Sequence, residues 1–124
     1  MSERFKFRAW EKYSRIMRPW EWVHEHLNMR VFISDELEKQ SDMYGYILMQ
    51  FTGLLDSQGK EIFEGDIVSG RVFEYQGNFE VCFDEGAFSV KVSDEYTPCL
   101  YEGIPEKQLT VIGNIYENPD LIKP

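Results

Sequence analysis

Cysteine is scarce in this chain of 124 residues: Cys82 and Cys99 stand without a second pair, so no disulfide framework is expected to hold the fold. Histidine is equally rare, with only His24 and His26. No apolar run approaches the roughly 20 residues that span a bilayer. Nothing at the amino terminus resembles a charged segment followed by an apolar core, so a reduced, cytoplasmic setting away from membranes is expected. No glycine spacing matches Gly-x-Gly-x-x-Gly or a Lys-containing phosphate loop, and no Ser, His and acid set stands in a nucleophile context. No cofactor is expected, and the sequence names no reaction.

Two further scarcities divide the chain. No glycine precedes Gly45 and no tryptophan follows Trp22, although there are nine glycines and three tryptophans. Charge divides in the same way: residues 1–40 carry eight Lys or Arg against seven Asp or Glu, whereas residues 41–124 carry five against fifteen, net −10. A field of that sign repels phosphates, so binding of duplex nucleic acid through the main body is disfavoured. One domain with an appended element fits the length. The division predicts an N-terminal β-hairpin and variable segment over 1–45 and a small β-barrel over 46–124.

What is present is mostly strand. Phe5, Phe7 and Ala9 alternate with Arg4, Lys6 and Arg8, and Ile16 to Val23 is read as a returning strand interrupted by Pro19, which suits an edge or bulge. Ser34 is a candidate cap for a short helix beginning at Asp35, with Leu37 inward. Tyr46 to Phe51 is apolar on both faces save Gln50, as in a covered strand. Asp56-Ser57-Gln58-Gly59 is a turn, and a second corner falls at Gly65-Asp66. Ile67 to Tyr75, Phe79 to Phe83 and Ala87 to Val92 are three strands, with hairpin turns expected at Gln76-Gly77-Asn78 and Asp84-Glu85-Gly86. Phe79, Val81, Phe83, Phe88, Val90 and Val92 form the predicted core face, and Cys82 and Ser89 the wet one. Residues 93–106 are a loop, Leu109 to Ile112 the last full strand, Gly113-Asn114 a kink, and Ile115-Tyr116 a continuation. Asn118-Pro119 begins a terminal helical turn with Leu121 packed back. The class is mainly β, with a β-rich α+β character.

Each candidate site has a plain structural reading beside it. His24-Glu25-His26 would place both imidazoles on one side of a strand, half of a metal site, but the remaining ligands are missing. Glu64, Asp66, Asp84 and Glu85 invite a paired-carboxylate reading, yet Asp66 after Gly65 suits a side chain bonding its own corner, and Asp84-Glu85-Gly86 is turn chemistry. Cys82 alternates with inward residues and Cys99 follows Pro98 in a loop, neither with an obvious base. The binding signal is the N-terminal hairpin, where basic residues including Arg8 surround Trp10, Tyr13, Trp20 and Trp22. Such a set docks on another protein surface or stacks on single-stranded bases. Self-association is favoured, because large aromatics anchor protein interfaces and the whole chain is acidic. The acidic surplus also admits a decoy that imitates DNA.

Four ordered segments carry a resemblance: Lys6 to Trp10, Leu48 to Leu54, Gly59 to Val68, and Val111 to Pro119. With Gly65, Asp66, Gly113 and Asn114 at their corners, they identify the chain as similar to the YopX family of phage and prophage genomes. The resemblance implies an SH3-like barrel in the carboxy-terminal part and assembly as a homo-oligomer. Beyond that it leaves room for a phage or host protein partner. It implies no catalytic residues and no established activity.

Overall fold

The structure, a computed structural model, describes residues 6–26, 45–84, 86–100 and 108–122. In chain order the elements are β1 (Phe7–Glu11), β2 (Ile16–Arg18), α1 (Trp20–His26), β3 (Tyr46–Leu55), β4 (Glu61–Phe63), β5 (Asp66–Val72), β6 (Tyr75–Asp84), β7 (Ala87–Lys91), β8 (Leu109–Asn114) and a 3-10 turn (Pro119–Ile122). The strands form two antiparallel sheets, ordered β2-β1-β3-β4 and β7-β6-β5-β8, the second curled as a half-barrel. The molecule is therefore mainly β, as the alternation predicts. Contacts divide it into two compact units, Met1–Phe51 and Thr52–Pro124, with the division inside β3.

In the first unit β1 pairs with β2 (Glu11 opposite Ile16) and with β3 (Arg8 opposite Met49). The expected hairpin is present, but its return strand stops at Arg18, and Trp20–His26 is a helix instead of strand. Pro19 explains the change. Its fixed φ and missing N–H suit the start of a helix better than the interior of a strand, and its carbonyl accepts the N–H of Val23 at 3.0 Å. Val23 is then the buried residue of α1. The helix suggested at Ser34, with Leu37, lies outside the described residues.

The second unit buries a cluster built from Ile62, Val68, Val72, Phe79, Val81, Val90, Leu100, Leu109 and Val111. Gly65 turns the corner at φ +84, where a Cβ would clash. The first long hairpin turns earlier than expected: Val72 pairs with Tyr75, so the loop is Phe73-Glu74, and Gly77 lies inside the ladder opposite Gly70. This register sets Val68 opposite Phe79, both buried, which decides between the two turns. The next hairpin closes with Asp84 opposite Ala87 and Gly86 at φ +82.

Several placements depart from what alternation alone predicts. Phe83 keeps the parity of Phe79 and Val81 but sits at the strand end, 53% exposed, with its ring edge-on to Phe88. Ser89 is buried, because Pro98 to Leu100 runs beside β7: Val90 donates to the Pro98 carbonyl at 2.9 Å and Leu100 to that of Phe88 at 3.0 Å. The same segment, expected as plain loop, delivers Leu100 into the core. β8 ends at Asn114, so Ile115-Tyr116 is a turn and not a continued strand. The kink is a bulge: Ile67 faces Gly113 and Val68 faces Val111, leaving Ile112 as the extra residue. Leu121 is held by its carbonyl, which accepts from Asn78 Nδ2 at 3.0 Å, while its side chain stays exposed.

Both edges of the half-barrel are covered by chain that is not strand. Pro98 to Leu100 lies along β7, and the turn after β3 lies along β8, where Ser57 donates to the Leu109 carbonyl at 2.9 Å. Unpaired sheet edges recruit other chains, so covering them removes the simplest unspecific route to association.

Candidate interaction surface

The N-terminal hairpin is stiffened by its own cations. Arg15 lies over the ring of Trp10 at 5.5 Å and Arg18 over that of Trp22 at 4.7 Å. Arg18 Nε also donates to Glu11 Oε1 at 2.9 Å. The side chains of Ser14 and Arg18 both bond the Glu11 carboxyl and hold it below the usual carboxylate range. Trp10 is 5% exposed and belongs to the interior of this unit. Trp20 is half-buried, tilted against Phe7 at 6.3 Å and edge-on to His24 at 5.2 Å. Trp22 stacks on His26 at 4.5 Å and tilts against Tyr46 at 5.7 Å. Burial pushes the Tyr46 phenol up, and the nearby Glu11 charge adds to it. Arg8 is half-buried in β1.

Tyr13 differs from the others. It stands on the four-residue loop between Glu11 and Ile16 and is 88% exposed. One side of its ring lies against Gly45, where an added Cβ would come within 2.7 Å of Tyr13 Cε2, and Lys12 donates to the Gly45 carbonyl at 2.8 Å. The ring is thus seated yet open to solvent, and Ile16, which begins β2, is exposed as well. The first glycine in the chain is the signal for this seat, and sequence reasoning passed over it.

The helix also changes the reading of His24 and His26. Two positions apart on a helix, they diverge, one toward Trp20 and the other onto Trp22, instead of sharing the side of a strand. Among the described residues no three His, Cys, Asp or Glu side chains gather as metal ligands.

The four corner residues come together. Asp66 pairs with Asn114 across β5 and β8, and Gly65 donates to the Val81 carbonyl and accepts from Ile115, both at 2.8 Å. Asp66 is buried, with Oδ2 accepting from Phe63 N at 2.8 Å, the corner bond its position after glycine suggests. Asn114 Oδ1 accepts from Tyr116 and Glu117 N–H, and its Nδ2 donates to Glu117 Oε1 at 2.8 Å. These residues are fold-holding. Asp56, which sequence reading treats as one member of a turn, belongs with them: it accepts from the N–H of Gln58, Lys60 and Val111. Desolvation raises its pKa, but those three donors and the Lys60 charge outweigh it and hold the carboxyl below its ordinary value.

Asp84 is exposed at the end of β6, beside an open groove of about 310 Å³ lined by Cys82, Asp84, Lys91, Asp94 and Thr97. Burial pushes the Cys82 thiol up, only partly opposed by Lys91, so it does not present a ready thiolate. Among the described residues no helix is long and apolar enough to cross a membrane.

Taken together, the geometry defines a mainly β protein of two compact units, one an aromatic hairpin with a short helix and the other a half-barrel with covered edges. The family model described as YopX protein matches residues 6–123, and the chain belongs to that family. Solved structures similar to it include two described by name. Protein EF1440 from Enterococcus faecalis is 26% identical, with a TM-score of 0.62 over 95% of this chain and 97% of that one. Protein yopX from Bacillus subtilis is 21% identical, with a TM-score of 0.53 over 97% of this chain and 99% of that one, a likeness of fold. A comparison with curated proteins finds no match.

Proposed function

We propose that this chain is a non-catalytic module that self-associates, a phage or prophage accessory protein of the host cytoplasm whose N-terminal hairpin makes the contacts between copies. The observation that carries this reading is Tyr13: a large aromatic left 88% exposed on a loop whose neighbours are locked in place. An anchor already held in its bound geometry loses little freedom on docking. The charge division supports a second copy as partner, because the basic tip meets its complement in the acidic remainder of the chain. The stacking surfaces that bases would need on Trp10 and Trp22 already carry Arg15, Arg18 and His26, which favours protein over single-stranded nucleic acid.

Light scattering of the full chain at micromolar concentration tests it. The expected mass exceeds 14.7 kDa and falls toward it for Tyr13→Ala. A wild-type chain that stays at 14.7 kDa as concentration rises refutes the reading.

A further inference from the structure

We infer that the Tyr13 tip of one copy docks on the tip of the β5-β6 hairpin of another, so that the contact joins two different surfaces. This rests on the self-association proposed above and names its second half. Phe73 begins the two-residue loop between Val72 and Tyr75, and its φ is +53. Tight hairpin loops place Gly, Asn or Asp at such a position, because a bulky side chain there is strained. Burial within the chain repays that strain only in part, since Phe73 is 47% exposed. Strain kept around an exposed aromatic indicates a side chain used for something outside the chain.

The ring does not stand alone. Tyr75 is exposed next to it, and the Tyr96 ring, also exposed, lies 5.8 Å from that of Tyr75. Arg71 Nε donates to the Phe73 carbonyl at 3.0 Å and steadies the loop. The charges on this tip and on the neighbouring turn are Glu74, Asp94 and Glu95 against Arg71, an acidic rim around aromatic anchors. The other hairpin carries Lys12, Arg15 and Arg18 against Glu11, a basic rim around Tyr13 and Ile16.

Opposite rims decide the symmetry. If two copies met through the same tip, two basic rims carrying Lys12 and Arg15 or two acidic rims carrying Glu74 and Glu95 would be brought together, and each arrangement gathers like charges. Joining tip to opposite tip removes the repulsion. A contact between two different surfaces leaves each copy with one more of each to offer, so assembly continues to a closed ring or an open filament.

Complementation between variants of the 124-residue chain tests this directly. Glycine adopts φ +53 freely, so Phe73→Gly should unfold at a temperature no lower than wild type while its mass in solution falls to that of one chain. Tyr13→Ala should fall likewise. Mixed in equal amounts, the two should form a pair of twice the chain mass, because each retains the surface the other has lost. That pair should weaken with added salt. If Phe73→Gly assembles as wild type while Tyr13→Ala dissociates, self-association through the hairpin stands and the β5-β6 tip is overturned as its partner surface. If both variants are single chains and their mixture stays so, neither supplies the surface the other has lost, the two tips do not join across copies, and the inference fails. A wild-type chain that binds a foreign protein at these tips but never itself removes both readings.

Discussion

The carboxylate of Asp56 accepts the backbone N–H of Val111 at 2.8 Å, joining a turn to a strand 55 positions away. The same side chain takes the N–H groups of Gln58 and Lys60, so one buried group closes its own turn and covers the outer edge of β8. Asp56→Ala would strip three backbone donors of their acceptor. Bonds to charged groups are worth more than neutral ones, and an orphaned buried N–H adds its desolvation cost, so a loss of about 3 kcal/mol is expected. Urea unfolding should show it as a lower midpoint with an unchanged slope.

The same carboxylate sets an acid limb of stability. Its folded-state pKa lies below the unfolded value of about 3.9, so its contribution is complete above that value and is lost as pH falls through the lower folded pKa. Thermal midpoints should therefore decline below about pH 4, and the decline should be shallower in Asp56→Ala. An equal decline in both proteins would assign the acid limb to other groups.

Gly70 and Gly77 face each other in the β5-β6 ladder, yet they should respond differently to alanine. A Cβ on Gly70, at φ +148, would run into the backbone carbonyl oxygen of Gln108, which cannot move cheaply. A Cβ on Gly77 would touch the Phe79 ring at 3.6 Å, an ordinary contact. Gly70→Ala is expected to lose about 3 kcal/mol and Gly77→Ala less than about 1 kcal/mol, measured by chemical unfolding.

Much of this second unit was legible because strand periodicity depends on nearest neighbours. Phe79, Val81 and Val90 fall on the core face as their alternation predicts, and Gly65-Asp66 turns where a Cβ-free residue is needed. Three things were not local. The Phe73-Glu74 turn is chosen by the register of the whole β5-β6 pair, not by the residues best suited to turning. Ser89 is covered by Pro98 to Leu100, which returns from later in the chain. Pro19 admits either an edge strand or a helix start, and the packing of Val23 decides. At the candidate surface, composition found the aromatic cluster but not its sorting: Trp10 buried and Tyr13 exposed are three residues apart in sequence. Phe73 gave no signal, since its strain exists only once the turn is known.

Phe79 and Phe83 share a parity but not an environment, and their truncation should separate them. Phe79→Ala removes a ring from the buried cluster and is expected to cost about 4 kcal/mol. Phe83 is mostly solvated and contributes chiefly its edge-on contact with Phe88, 5.0 Å between centroids, so Phe83→Ala should cost about 1 kcal/mol. Equal losses from the two would contradict the register described for β6.

Asn114 offers the sharpest electrostatic test, because its buried amide is used as both donor and acceptor while its partner Glu117 stands at the surface. Its oxygen takes two N–H groups from the turn that follows β8, and its nitrogen donates to Glu117 Oε1 at 2.8 Å. Asn114→Asp keeps the shape and the accepting oxygen but replaces the donor with a second carboxylate oxygen facing Glu117. Two carboxylates at hydrogen-bond distance cannot both ionise without cost, so one acquires a raised pKa in the folded state. The variant should approach wild-type stability where the pair shares a proton, near pH 4, and lose about 2 kcal/mol as pH rises through the raised pKa toward 7. Asn114→Ala, which cannot ionise, should be weakened at both pH values. Parallel pH profiles for Asn114→Asp and wild type would show that Glu117 is not the partner of this amide.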